Sequence, residues 1–129
     1  MIANARIEVA DAVEVVDLSG LSPQRVSGYM VAAAIEGAPR ARVVGEAAAE
    51  IVSRWNDLPA DGQARCHIPP FGFRFFLRGA LLVEASVCWQ CNNIHGESSG
   101  APFWYEFDGA AAVSRRLLAL ARSAIGGNP

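Results

Sequence analysis

A chain of 129 residues, 52% apolar and 19% charged, has the length of one globular domain and too little charge for a disordered one. At this size folding removes roughly two thirds of the unfolded chain's surface from water, so a core can form without disulfides or metal. The net charge is −2 and the eleven basic residues are scattered, which argues against a phosphate-neutralising stripe and against a nucleic-acid partner.

No apolar run reaches the roughly 18 residues of a membrane span, because Glu36, Arg78 and Glu84 interrupt the best candidates. The first residues lack a basic stretch followed by an apolar one, so no signal peptide is expected and the expected location is cytoplasmic. There, three cysteines are expected as reduced thiols.

Residues 1–129 read as a single domain with no repeat and no linker. After an ambiguous lead-in at 1–11, the β-branched alternation of Val13, Val15 and Val16 predicts a strand over 12–18. Residues 19–24 form a loop by their Ser, Gly and Pro content. Tyr29, Val31, Ala33 and Ile35 recur every second residue, which predicts a second strand antiparallel to the first.

Gly37 and Pro39 break that run, and the period then changes. Val44, Ala47, Ala48, Ile51 and Trp55 share one face of a helix predicted over 40–55. Arg42–Glu46 and Glu50–Arg54 are spaced four apart on its other side. Residues 56–62 end the helix in a turn rich in Asn, Asp, Pro and Gly.

Residues 65–95 form the centre of the chain and read as two strands meeting at Arg78, Gly79 and Ala80. With Leu77 facing Leu81, Phe75 meets Val83, Phe73 meets Ala85 and Phe71 meets Val87, so one face is apolar. The same register sets Arg74 opposite Glu84 on the other face, whereas a one-residue slip would set Glu84 against Phe73. Trp89 and Cys91 are expected to continue the apolar side. Ser86, Cys88 and Gln90 should lie on the more open side with Arg74 and Glu84. Pro69 and Pro70 donate no ladder hydrogen bonds, so pairing should loosen beside Cys88 to Asn92.

Residues 96–100 read as a loop and 103–107 as a short aromatic strand that exposes either Trp104 or Tyr105. Asp108 is a suitable cap for a final helix whose stripe is Val113, Leu117, Leu120, Ala121 and Ala124. The expected fold is α+β in the order ββαβββα: a mostly antiparallel sheet with two helices packed on one face.

All three cysteines and both histidines lie between 66 and 95. The candidate site is Cys66, His67, Cys88, Gln90, Cys91, Asn92 and His95. On a straight strand Cys88 and Cys91 point to opposite faces, so they act together only if the chain bends between them. Without a bend, Cys91 is a small core residue beside Trp89 and Cys88 fills the other face.

Cys66, Cys88, Cys91 and His95 (or His67) are ligand types that zinc takes, although one CxxC without a glycine knuckle is a weak spacing signal. A Cys/His nucleophilic pair would also need a cleft and an oxyanion donor, for which Asn92 or Asn93 would serve. The plainer reading of Asn92 and Asn93 is a strand end entering a turn, and of His95 an exposed loop residue. No phosphate loop and no complete catalytic motif is present. No cofactor is therefore expected unless zinc binds, and the function expected is binding of a protein partner or of a second copy.

The stretches Cys66-His-Ile-Pro-Pro-Phe-Gly-Phe-Arg-Phe and Val87-Cys-Trp-Gln-Cys-Asn-Asn resemble a group of small bacterial proteins of uncharacterised function. A weaker echo is Gly28-Tyr29 opening a strand. The resemblance covers about a third of the chain. It implies a similar small α+β fold and carries no catalytic assignment.

Overall fold

The computed structural model describes residues 4–20, 37–62 and 69–126. Among these residues six strands form one antiparallel sheet: β1 (Ala12–Asp17), β2 (Arg40–Val44), β3 (Phe71–Leu77), β4 (Ala80–Cys88), β5 (Asn93–Ser98) and β6 (Ala101–Glu106). Among the described residues two helices form, α1 (Gly45–Asn56) and α2 (Ala112–Gly126). The sheet order is β2-β1-β3-β4-β5-β6. This is the expected α+β fold, with Asn93–Ser98 as a strand where a strand end and a loop were expected. The strand expected around Tyr29 to Ile35 lies outside the described residues.

The helix expected from residue 40 begins five residues later. Arg40–Val44 instead pairs with β1, setting Val43 opposite Val13 and Ala41 opposite Val15. Its β-branched end suits a pleated strand, and Gly45 makes the corner at φ +66°, a left-handed conformation that other residues adopt at a cost. Arg42 therefore cannot bridge to Glu46, and Val44 is exposed rather than core. Glu50–Arg54 does form, at 3.2 Å. Glu50 also takes both guanidinium bonds of Arg116 on α2, at 2.9 and 3.0 Å. The Arg116 hydrogen bonds hold the Glu50 carboxyl below the ordinary carboxylate range.

The central hairpin has the expected register from Phe71↔Val87 to Phe75↔Val83. Only its tip differs. Arg78 and Gly79, at φ +50° and +82°, close a two-residue turn, and a bulge after Phe75 sets Phe76 opposite Leu81. Phe73 and Phe75 are fully buried beneath Trp55 of α1, with ring centroids 6.1 and 5.0 Å away. The Trp55 Nε1–H donates to the Ala5 carbonyl at 2.7 Å, and Asn56 exchanges bonds with the backbone of Ile7. These bonds pin the lead-in to the end of α1. On α2, Leu117, Leu118 and Ala121 join the same core.

Candidate functional site

β4 ends at Cys88, and residues 89–92 turn the chain directly into β5, pairing Cys88 with Asn93. This is the bend without which Cys88 and Cys91 could not act together, where the plainer expectation is a straight strand. Asn92 takes the left-handed conformation at φ +59°, which asparagine tolerates better than most residues. The Cys91 N–H donates to the Cys88 Sγ at 3.1 Å.

The turn is docked onto the loop before α2. The Asn92 Oδ1 accepts the Gly109 N–H at 3.0 Å, and the Phe107 N–H donates to the Asn92 carbonyl at 3.0 Å. The Trp89 Nε1–H donates to the Ser114 carbonyl at 2.8 Å. The Trp89 ring meets Phe71, Phe73 and Phe107 edge-on. Asp108 caps this loop rather than the first turn of α2, with its Oδ1 accepting the Ala110 N–H at 2.9 Å.

The candidate residues separate into two groups. Gln90 and Asn92 line a pocket of about 670 Å³ between the turn, the start of β3 and α2. Cys88 and His95 lie on the opposite sheet face, where Ser86 pairs with His95 and Cys88 with Asn93. Cys66 and His67 lie outside the described residues.

Three expectations change. Cys88 and Ser86 are fully buried, so the side expected to be open is closed at this end. His95 is half-buried in β5, not in an exposed loop, because Asn93–Ser98 pairs on both edges. Cys91 is disulfide-bonded, whereas Cys88 is a free thiol.

No protein-family model, curated protein or solved structure matches the chain.

The groups themselves must therefore supply the reading. Among the described residues no three His, Cys, Asp or Glu side chains gather to hold a metal ion. No described helix is long and apolar enough to cross a membrane. Sequence reasoning missed Arg115 and Arg122, which line the pocket from α2. Their spacing of seven puts both on one helix face, but nothing in the sequence pairs that face with the turn.

The face away from the helices carries an ionic row, Glu14, Arg74, Glu84 and Glu97, each opposite the next on adjacent strands. The short bond of Arg74 goes to Glu14 at 3.0 Å, and Glu84 stands 3.8 Å away. The expected Arg74–Glu84 pair is thus in register but is the weaker of the two.

Burial pushes the Glu84 carboxyl above its ordinary value of 4.5; Arg74 opposes this and Glu97 adds to it. A raised folded-state pKa contributes stability that is fully present below the unfolded value and is lost as pH rises through the folded one. Ionised Glu84 is therefore a burden at neutral pH. Glu84→Gln should melt higher than the native chain at pH 7, with the difference closing towards pH 4. A lower melting temperature for this variant at pH 7 would show that the Arg74 attraction outweighs burial.

Proposed function

We infer that the chain is a bacterial, cytoplasmic protein-binding module that pairs with a second copy of itself through β6. The observation that carries this reading is Trp104, 45% exposed on β6, an edge strand among the described residues. Tryptophan is enriched at interface centres and is an uncommon residue to leave in water. Its neighbour Tyr105 faces inward and donates its hydroxyl to the Leu58 carbonyl at 2.8 Å, so the alternation leaves Trp104 alone outside.

Among the described residues the two sheet edges differ in protection. β2 carries Arg40 and Arg42, the kind of charge that discourages edge pairing. β6 has no charge from Ala101 to Tyr105. Its far end is closed, since the Asp61 N–H donates to the Glu106 carbonyl at 2.9 Å and Ala60 bridges to Phe107. Pro102 lacks a donor, so a second copy would centre on Trp104 and bury its ring. Trp104→Lys should leave the melting temperature nearly unchanged and convert a dimer to monomer in sedimentation velocity. A native chain that stays monomeric up to millimolar concentration would sink the reading. The likeness to small bacterial proteins supports the fold of such a module and adds no activity to it.

A second reading rests on the bond from the Cys91 N–H to the Cys88 Sγ. An amide aimed at sulfur is the kind of outer contact that supports a metal-bound cysteine. In the cytoplasm a disulfide is usually transient, and exchange with the glutathione pool, a two-electron thiol reductant that leaves as its own disulfide, would return Cys91 to the thiol. Once reduced, Cys66, Cys88, Cys91 and His95 offer four ligands of the types zinc takes. Stoichiometric zinc in the reduced chain would favour this reading over self-association alone, and metal-free reduced protein would remove it.

A further inference from the structure

We propose that the pocket beside the turn at 89–92 is a binding site for a small organic anion, one with a planar apolar body and a carboxylate or phosphate group. The pocket, of about 670 Å³, falls in the range of sites that enclose a drug-sized ligand and is far larger than a lone inorganic ion needs. Its walls divide by chemistry. Phe71, Trp89 and Leu118 form an apolar side, while Gln90, Arg115 and Arg122 supply polar groups. Among the described residues no Asp or Glu lines it, and the charged groups that do, Arg115 and Arg122, are positive.

Among the described residues neither arginine has an ion pair, whereas their neighbour Arg116 is fully engaged by Glu50. Arg115 also sits near the start of α2, where the helix dipole disfavours a cation. A cation placed there without a carboxylate partner, on the rim of a pocket, is suited to an anion that arrives from solution. Arg122 lies two turns further on the same face, about 10 Å along the axis, within reach for two long side chains converging on one group. A guanidinium grips a carboxylate or phosphate through paired N–H donors. The carboxamide of Gln90 adds a donor and an acceptor for a ligand's polar substituent. The Asn92 Oδ1 is already taken by the Gly109 N–H, so only its Nδ2 donors could face a ligand.

The test is titration of the full chain with 2-naphthoate, 2-naphthyl phosphate and neutral 2-naphthol, followed by amide chemical shifts. The two anions should move the amides of Gln90, Asn92 and Ala110 and should bind at least about tenfold tighter than 2-naphthol, the worth of one charge-assisted bond. The stronger of the two anions identifies the group the site prefers. Arg115→Ala with Arg122→Ala should remove that preference without lowering the melting temperature, since both side chains are exposed. Arg6→Ala, an exposed arginine elsewhere, should leave it intact. The proposal fails if naphthol binds as well as the anions or if none of the three binds by millimolar concentration. It also fails if the double arginine variant keeps its preference for anions.

Discussion

Phe73→Ala should lower the folding equilibrium constant by roughly two hundred- to five thousand-fold, the equivalent of about 3–5 kcal/mol. Phe73 is fully buried at the centre of the core, stacked beside Phe75 and meeting both Trp55 and Trp89 edge-on. Its removal leaves a void that three large rings cannot all move to fill. A domain of this size is stable by roughly 5–15 kcal/mol in total, so the loss takes a large share.

The contrast that tests the face assignment is Phe76→Ala. Phe76 lies beyond the bulge on the face away from the helices, half-exposed, with the Arg74 guanidinium 5.2 Å from its ring centre. Its truncation forfeits partial burial and one cation–π contact, about 1–2 kcal/mol. Urea denaturation of both variants gives the comparison. Equal losses would mean that the hairpin does not present one face to the helices.

That face assignment was legible because period-two alternation with Phe71, Phe73 and Phe75 allows one register only. Other elements were less legible where a local signal had two outcomes. Val44 fits both the α1 stripe and the end of a strand, and the positive φ at Gly45, which decides between them, is a tertiary property. Asn93–Ser98 carries Gly96 and begins at the second residue of an Asn-Asn turn signal, yet it is a strand. A side chain at Gly96 would press on Ala85, its Cβ 2.6 Å from the Ala85 Cβ, so this glycine permits pairing instead of breaking it.

The candidate site was legible in part for the same reason. The CxxC spacing says only that Cys88 and Cys91 act together if the chain bends between them. Its plainer reading is a straight strand, and the turn at 89–92 overturns that reading. Which side the turn would dock against depended on Gly109, seventeen residues further along the chain from Asn92. The burial of Cys88 and the disulfide at Cys91 are likewise matters of what covers the hairpin, not of its own pattern.

Gly109→Ala should destabilise the chain by at least about 1–3 kcal/mol and should weaken anion binding at the pocket at the same time. Glycine is required here for space. An added Cβ would run into the Trp89 carbonyl oxygen and would stand 2.6 Å from the Asn92 Oδ1. The first of these is backbone in a tight turn and cannot rotate away. The loop must therefore retreat, which strains the Gly109 N–H bond to Asn92, the Phe107 N–H bond to the Asn92 carbonyl and the Trp89 bond to the Ser114 carbonyl. Since Trp89 and Asn92 both line the pocket, the same retreat deforms the proposed binding site. Gly62→Ala serves as the control, because a Cβ there meets nothing within 4 Å. Asn92→Gly in the Gly109→Ala background removes the side-chain clash and eases the left-handed turn, but leaves the Trp89 carbonyl in place. That double variant should recover little stability in thermal unfolding followed by circular dichroism. Full recovery would trace the strain to the Asn92 side chain alone, and a Gly109→Ala chain as stable as Gly62→Ala would mean that the turn is not docked on this loop.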